Sequence, residues 1–171
     1  GAGHDTVVVT AKGSGNSGSC VAAGMFANYA GKNTITTEDS TVSVSAEGSR
    51  YNHAMKVLGA GTGGANLIHD VRNGDAEAVA LKADKGAYNS VMNAGYGTNT
   101  VENISGKVLL QALNGSISSV GMEAFTSGEN IIRNVTAKVA DLDDAVVRIE
   151  ATSGVTGTAY GMSTSVSGSK N

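Results

Sequence analysis

The chain has 171 residues, enough for one domain, with a net charge of −3 and only 16 % charged residues. Positive and negative residues are interspersed, so the basic stripe of a nucleic-acid binder is missing, and no apolar run approaches the ~20 residues of a membrane span. With 24 glycines, no proline, no tryptophan and two phenylalanines, a wide aromatic core is excluded in favour of a narrow one lined by Val, Ile, Leu, Ala and Met.

The chain opens Gly1-Ala2-Gly3-His4, which does not read as a signal peptide and suggests a mature form or an excised piece. The first predicted element is the strand Val7-Val9-Ala11. It recurs as Val42-Val44-Ala46, Val79-Leu81-Ala83, Val108-Leu110-Ala112 and Val147-Ile149-Ala151. Each copy alternates, so the three named side chains share one face and the residues between them share the other. The other face carries Thr10, Ser45, Lys82, Gln111 and Glu150, hydroxyl-rich early in the chain and charged later. A glycine follows each copy: Gly13, Gly48, Gly86, Gly115, Gly154.

Cys20, the one cysteine, permits neither an intrachain disulfide nor a Cys-based metal site. Next comes a second predicted strand marked by a methionine in a small-residue setting: Met25, Met55, Met92, Met122 and Met162. The coil spacing of these methionines makes them core filler. A third anchor is Gly-x-Asn-x-[Ile/Val], at Gly31-Asn33-Ile35, Gly64-Asn66-Ile68, Gly97-Asn99-Val101 and Gly128-Asn130-Ile132. These asparagines lie 33, 33 and 31 residues apart.

Three anchors in constant order predict three short strands per period of ~33 residues, a three-sided parallel β-solenoid. The expected fold is therefore all-β, with about five coils stacked at ~4.8 Å. Asn33, Asn66, Asn99 and Asn130 are predicted to file along one corner, each amide bonding the next. Asn also suits the left-handed backbone of a sharp corner. Asn171 falls at about the position of a fifth such residue. With no capping helix legible at either end, the reading is a segment of a longer solenoid or a subunit whose ends stack on neighbours.

Loops are predicted where a coil is longer than its neighbours. The gap from the Ile/Val anchor to the next first strand is 7 residues in coils one and three, 11 in coil two and 15 in coil four. The first insertion holds His69, Asp70, Arg72, Asp75 and Glu77, the second Asp141, Asp143 and Asp144. Two coils apart, they lie ~10 Å from each other along the axis. As candidate interaction loops they suit a polysaccharide or a cation, since glycoside hydrolysis wants two carboxylates at ~5–9.5 Å. The plainer reading is that acidic side chains keep the loops solvated and block lateral association. Asp141-x-Asp143-Asp144 lacks the glycine and closing glutamate of a calcium loop. His4, His53 and His69 do not fall at ligand spacing, and no nucleophile triad, phosphate loop or dinucleotide fingerprint is present. Gly59-Ala60-Gly61-Thr62-Gly63-Gly64 reads as a corner.

The Val strands ending in Ala-x-Gly, second strands of the type Ala159-Tyr160-Gly161-Met162, and Gly-x-Asn-x-Ile corners together resemble right-handed β-helical surface proteins. These are the passenger domains of bacterial autotransporters and filamentous-haemagglutinin-like adhesins, on a pectin-lyase-like scaffold. The resemblance covers essentially the whole chain and implies the right hand of the coil. It also implies an extracellular or bacterial cell-surface setting and a non-enzymatic role as adhesin or stalk. The implied partner is a protein or glycan on a host or neighbouring cell, or another copy joined end to end. It brings no catalytic residue, cofactor or metal ligand. The other readings are a carbohydrate-binding or polysaccharide-cleaving β-helix working through the acidic loops, and a filament subunit.

Overall fold

The computed structural model describes residues 6–15, 17–58, 63–72, 77–136, 147–165 and 171. Among the described residues fourteen strands follow one another: β1 (Thr6–Lys12), β2 (Val21–Asn28), β3 (Lys32–Glu38), β4 (Thr41–Glu47), β5 (Tyr51–Leu58), β6 (Ala65–Arg72) and β7 (Glu77–Asp84). Then come β8 (Tyr88–Ala94), β9 (Thr98–Ile104), β10 (Lys107–Gly115), β11 (Ser118–Phe125), β12 (Glu129–Val135), β13 (Val147–Ser153) and β14 (Thr158–Ser165).

Every third strand pairs in parallel, giving sheets β1-β4-β7-β10-β13, β2-β5-β8-β11-β14 and β3-β6-β9-β12. The chain is a three-sided parallel β-solenoid. Against an expectation of about five coils, the described residues form four complete coils and two strands of a next one.

Register follows the anchors. Val7, Val42, Val79, Val108 and Val147 pair across the first sheet, and the five methionines pair across the second. A one-residue slip would turn a whole row outward, so burial on one face fixes the register. Met55, Ile68, Leu81, Met92, Ile104, Leu110 and Met122 are the largest fully buried side chains. The core is as narrow and as poor in rings as the composition demands.

Two corners are tighter than strict alternation allows. In the second strand of coils two and three both Ala54 and Met55, and both Val91 and Met92, are fully buried. The backbone turns inward twice running, and the register skips from His53 to Met55. In the third strand the inward residues Ile68 and Val71 are three apart. Between them Asp70 is left-handed (φ 52°), as are Asn103 (φ 55°) and Asn134 (φ 53°) in later coils.

The asparagine file is present, with one correction. Asn33, Asn66, Asn99 and Asn130 are not left-handed; they are the second residues of β3, β6, β9 and β12. Left-handed backbone falls on other corner residues, including Asp70, Asn103 and Asn114, whose short polar side chains tolerate it. The file is instead served by close approach of backbones. A Cβ on Gly97 would collide with the Gly64 carbonyl oxygen, and one on Gly128 would come within 2.6 Å of the Gly97 carbonyl oxygen. Each residue of Gly31, Gly64, Gly97 and Gly128 lies two positions before a ladder asparagine.

Candidate functional site

Each ladder asparagine uses its Nδ2 group at least twice, Asn130 adding a long bond to the Met122 carbonyl (3.4 Å). One bond runs along the file: Asn33 to Asn66 Oδ1 (2.9 Å), Asn66 to Asn99 Oδ1 (2.8 Å), Asn99 to Asn130 Oδ1 (2.8 Å) and Asn130 to Asn171 Oδ1 (2.8 Å). The other reaches back to a main-chain carbonyl of the second sheet. Its acceptors are Lys56 (2.8 Å), Asn93 (2.9 Å), Glu123 (2.8 Å) and Ser163 (2.9 Å). The ladder thus pins the backbone of one column of the second sheet, coil by coil.

The side chains of that column point outward. Lys56, Asn93 and Glu123 pair in register and line a cleft of about 510 Å³ on the outer face of β5, β8 and β11. That volume lies within the ~300–1,000 Å³ usual for small-molecule sites. Tyr51, Tyr88 and Ser118 form a parallel column at one side, with the two tyrosine rings stacked at 4.9 Å and 8°. Leu58 and Phe125 bound the opposite side. His53, Ser90 and Val120 form the column between tyrosines and polar row. The small Ser90 and Gly95 of the middle coil make the depression.

His53 is only 4 % exposed, and its Nε2 accepts a hydrogen bond from Lys56 Nζ (3.1 Å). With Nε2 as acceptor the neutral ring carries its proton on Nδ1. Burial, and then the neighbouring Lys56 charge, bring the His53 pKa down to about 3. The Ser90 backbone opposes this weakly, but Nδ1 has no directed hydrogen bond among the described residues, and neither has Ser90 Oγ. Burial also lowers the Lys56 pKa, with the Glu123 charge pulling the other way. Glu123 is raised by burial, although Ser90, Asn93 and Lys56 favour its charged form. Asn93 Nδ2 donates to Glu123 Oε2 (2.8 Å).

Behind the cleft lies a second, shorter amide file that the repeat anchors do not mark. Asn52 Nδ2 donates to Asn89 Oδ1 (2.8 Å) and Asp84 O (2.9 Å), and Asn89 Nδ2 to Leu113 O (2.7 Å). Gly86 is obligatory beside it, since a Cβ there would overlap Asn52 Nδ2.

The residues singled out by the insertions fare differently. His69, Asp70 and Arg72 belong to β6 itself, ahead of the insertion. His69 Nδ1 meets Asp70 Oδ2 at 2.7 Å and Thr36 Oγ1 donates to the His69 carbonyl (2.7 Å). Asp70 Oδ1 accepts from Asn103 Nδ2 (3.3 Å), whose Oδ1 accepts from Asn134 Nδ2 (3.0 Å). These bonds, first His69 and then Asn103, keep the Asp70 pKa below its usual value. The left-handed corner residues so form a surface ladder of their own. Glu77 opens β7, while Asp75, Asp141, Asp143 and Asp144 lie outside the described residues. No group of three His, Cys, Asp or Glu suited to a metal occurs among the described residues.

Sequence reasoning missed the cleft because it marked the second strand by its methionine alone and gave its other positions no face, and strict alternation would not have supplied them. On that pattern His53 and Lys56 face opposite ways; the double inward turn at Ala54 and Met55 puts both outside. The signal was present in the repeat itself, where two small or apolar residues precede the third outward position in each coil. No family model, no curated protein and no solved structure matches the chain.

Proposed function

We propose that this chain is a non-enzymatic, surface-exposed or secreted solenoid of the adhesin or stalk kind, a rigid rod that presents a recognition surface to a partner on another surface. The supporting observation is the coupling of scaffold to surface. A buried amide file holds the carbonyls of Lys56, Asn93 and Glu123, the residues whose side chains line the cleft. A site assembled on paired strands is held more firmly than one on loops. Glu123 is the one carboxylate among the residues lining the cleft, whereas glycoside hydrolysis takes two. The arrangement suits holding a ligand better than cleaving it.

Beads coated with the chain test this reading, by retention on host or bacterial cell layers and by assay of polysaccharides for new reducing ends. Retention without new reducing ends is expected. Reducing ends that vanish on replacing Asp141, Asp143 and Asp144 with alanine would overturn it in favour of a polysaccharide-cleaving β-helix.

A further inference from the structure

We propose that the cleft over β5, β8 and β11 is a binding site for an uncharged oligosaccharide, with Lys56, Asn93 and Glu123 as its hydroxyl partners. The inference rests on the reading of the chain as a binding solenoid and names the chemistry of its ligand.

The polar row sets the ligand's charge. Lys56 offers donors, Glu123 acceptors and Asn93 both, and Lys56 and Glu123 stand two coils apart, ~10 Å along the axis. A net anion long enough to fill the row meets the Glu123 carboxylate, and a net cation meets the Lys56 ammonium. A chain of hydroxyls meets neither obstacle, because each hydroxyl accepts from Lys56 or donates to Glu123 as its position requires. The walls set the rest. Sugar rings have apolar C–H faces and polar edges, and the cleft sets Tyr88 on one side and Phe125 on the other of its polar row.

A second observation points the same way. His53 and Ser90, each more than nine-tenths buried, line the cleft, and neither Nδ1 nor Oγ makes a well-directed hydrogen bond among the described residues, although Nδ1 feels the Ser90 backbone and Ser90 lies near enough to favour the charged form of Glu123. A buried polar atom without a partner loses the bond it would make to water. A ligand hydroxyl delivered into the cleft offers it a partner.

The test is a printed array of neutral hexose and N-acetylhexosamine oligosaccharides beside uronate and sulfated ones, probed with the wild-type chain. Titration calorimetry then follows, with the best neutral binder and the variants K56M and E123Q. Retention of neutral glycans is expected, with at least a tenfold loss of affinity in both variants and an unchanged circular dichroism spectrum. A third variant, S118Y, places a ring in the cleft from an outward strand position and is expected to block binding with the core untouched. Retention of acidic glycans alone, of no glycan, or of neutral glycans equally by all variants would overturn the proposal. Bead adhesion that survives all three variants sinks the cleft while leaving the adhesin reading. Release of reducing ends sinks that reading while leaving saccharide recognition at the cleft.

Discussion

At the scale of single residues, the ladder asparagines carry two duties at once. Asn66 is fully buried; it donates to Asn99 and to the Asn93 carbonyl and accepts from Asn33. Replacing it with alanine removes these bonds and strands their partners in the core, at a cost on the order of 3 kcal/mol. Thermal denaturation of Asn66→Ala followed at a strand wavelength checks this; an unchanged midpoint would mean the amide is dispensable. His53 makes a second residue-level prediction. Its pKa is depressed from 6.5 to about 3, so between these values the unfolded chain binds a proton that the folded one refuses, and stability falls as pH falls from 6.5. Glu123, raised by burial, works oppositely: the stability it withholds at neutral pH returns as acid protonates it. From pH 6.5 to 5 the His53 contribution amounts to ~2 kcal/mol. His53→Ser, the residue found at this place in the next coil, is expected to remove that slope. Urea midpoints across this pH window read it directly, and parallel wild-type and variant slopes would contradict the assignment.

At the scale of elements, the strands were legible and the corners were not. The Val-x-Val-x-Ala copies are β1, β4, β7, β10 and β13, in the register their sequence implies, because alternation over a half-buried strand has one solution. The Asn file was legible for the same reason: one residue type at one coil position has only itself to bond. Departures from period two are harder to see. They depend on where the backbone bends, and the bend at Ala54–Met55 carries no glycine or proline in coil two. The left-handed file of Asp70, Asn103 and Asn134 was hidden in what reads as an insertion and a corner. At Asn103 a β-branched side chain is expected to cost ~1–2 kcal/mol and glycine little. Comparing melts of Asn103→Val and Asn103→Gly checks this; equal loss in both would place the cost in the Asn103 side-chain bonds to Asp70 and Asn134. Gly86, Gly97 and Gly128 act by space, not by φ, whereas Gly48 is left-handed (φ 78°). Gly86→Ala drives a methyl into Asn52, and its expected loss of ~1–3 kcal/mol should be matched by faster exchange of the β8 amides.

At the scale of the whole molecule, the solenoid converts a one-dimensional repeat into a surface two coils long that no single repeat contains. The cleft exists because Lys56, Asn93 and Glu123, which differ from coil to coil, stand on carbonyls that one asparagine type holds coil after coil. Repetition inside and variation outside is the division of labour on which the proposed recognition depends. The acidic residues at 141, 143 and 144 are set apart from it by sequence, and the bead assay weighs them separately. The most direct test is native-state hydrogen exchange of the side-chain Nδ2 groups of Asn66 and Asn99, assigned by site-specific ¹⁵N labelling. Exchange as slow as that of the β5–β11 backbone amides is predicted, since opening the file requires opening the coils. Exchange at the rate of a free amide would contradict a locked file and the cleft built on it.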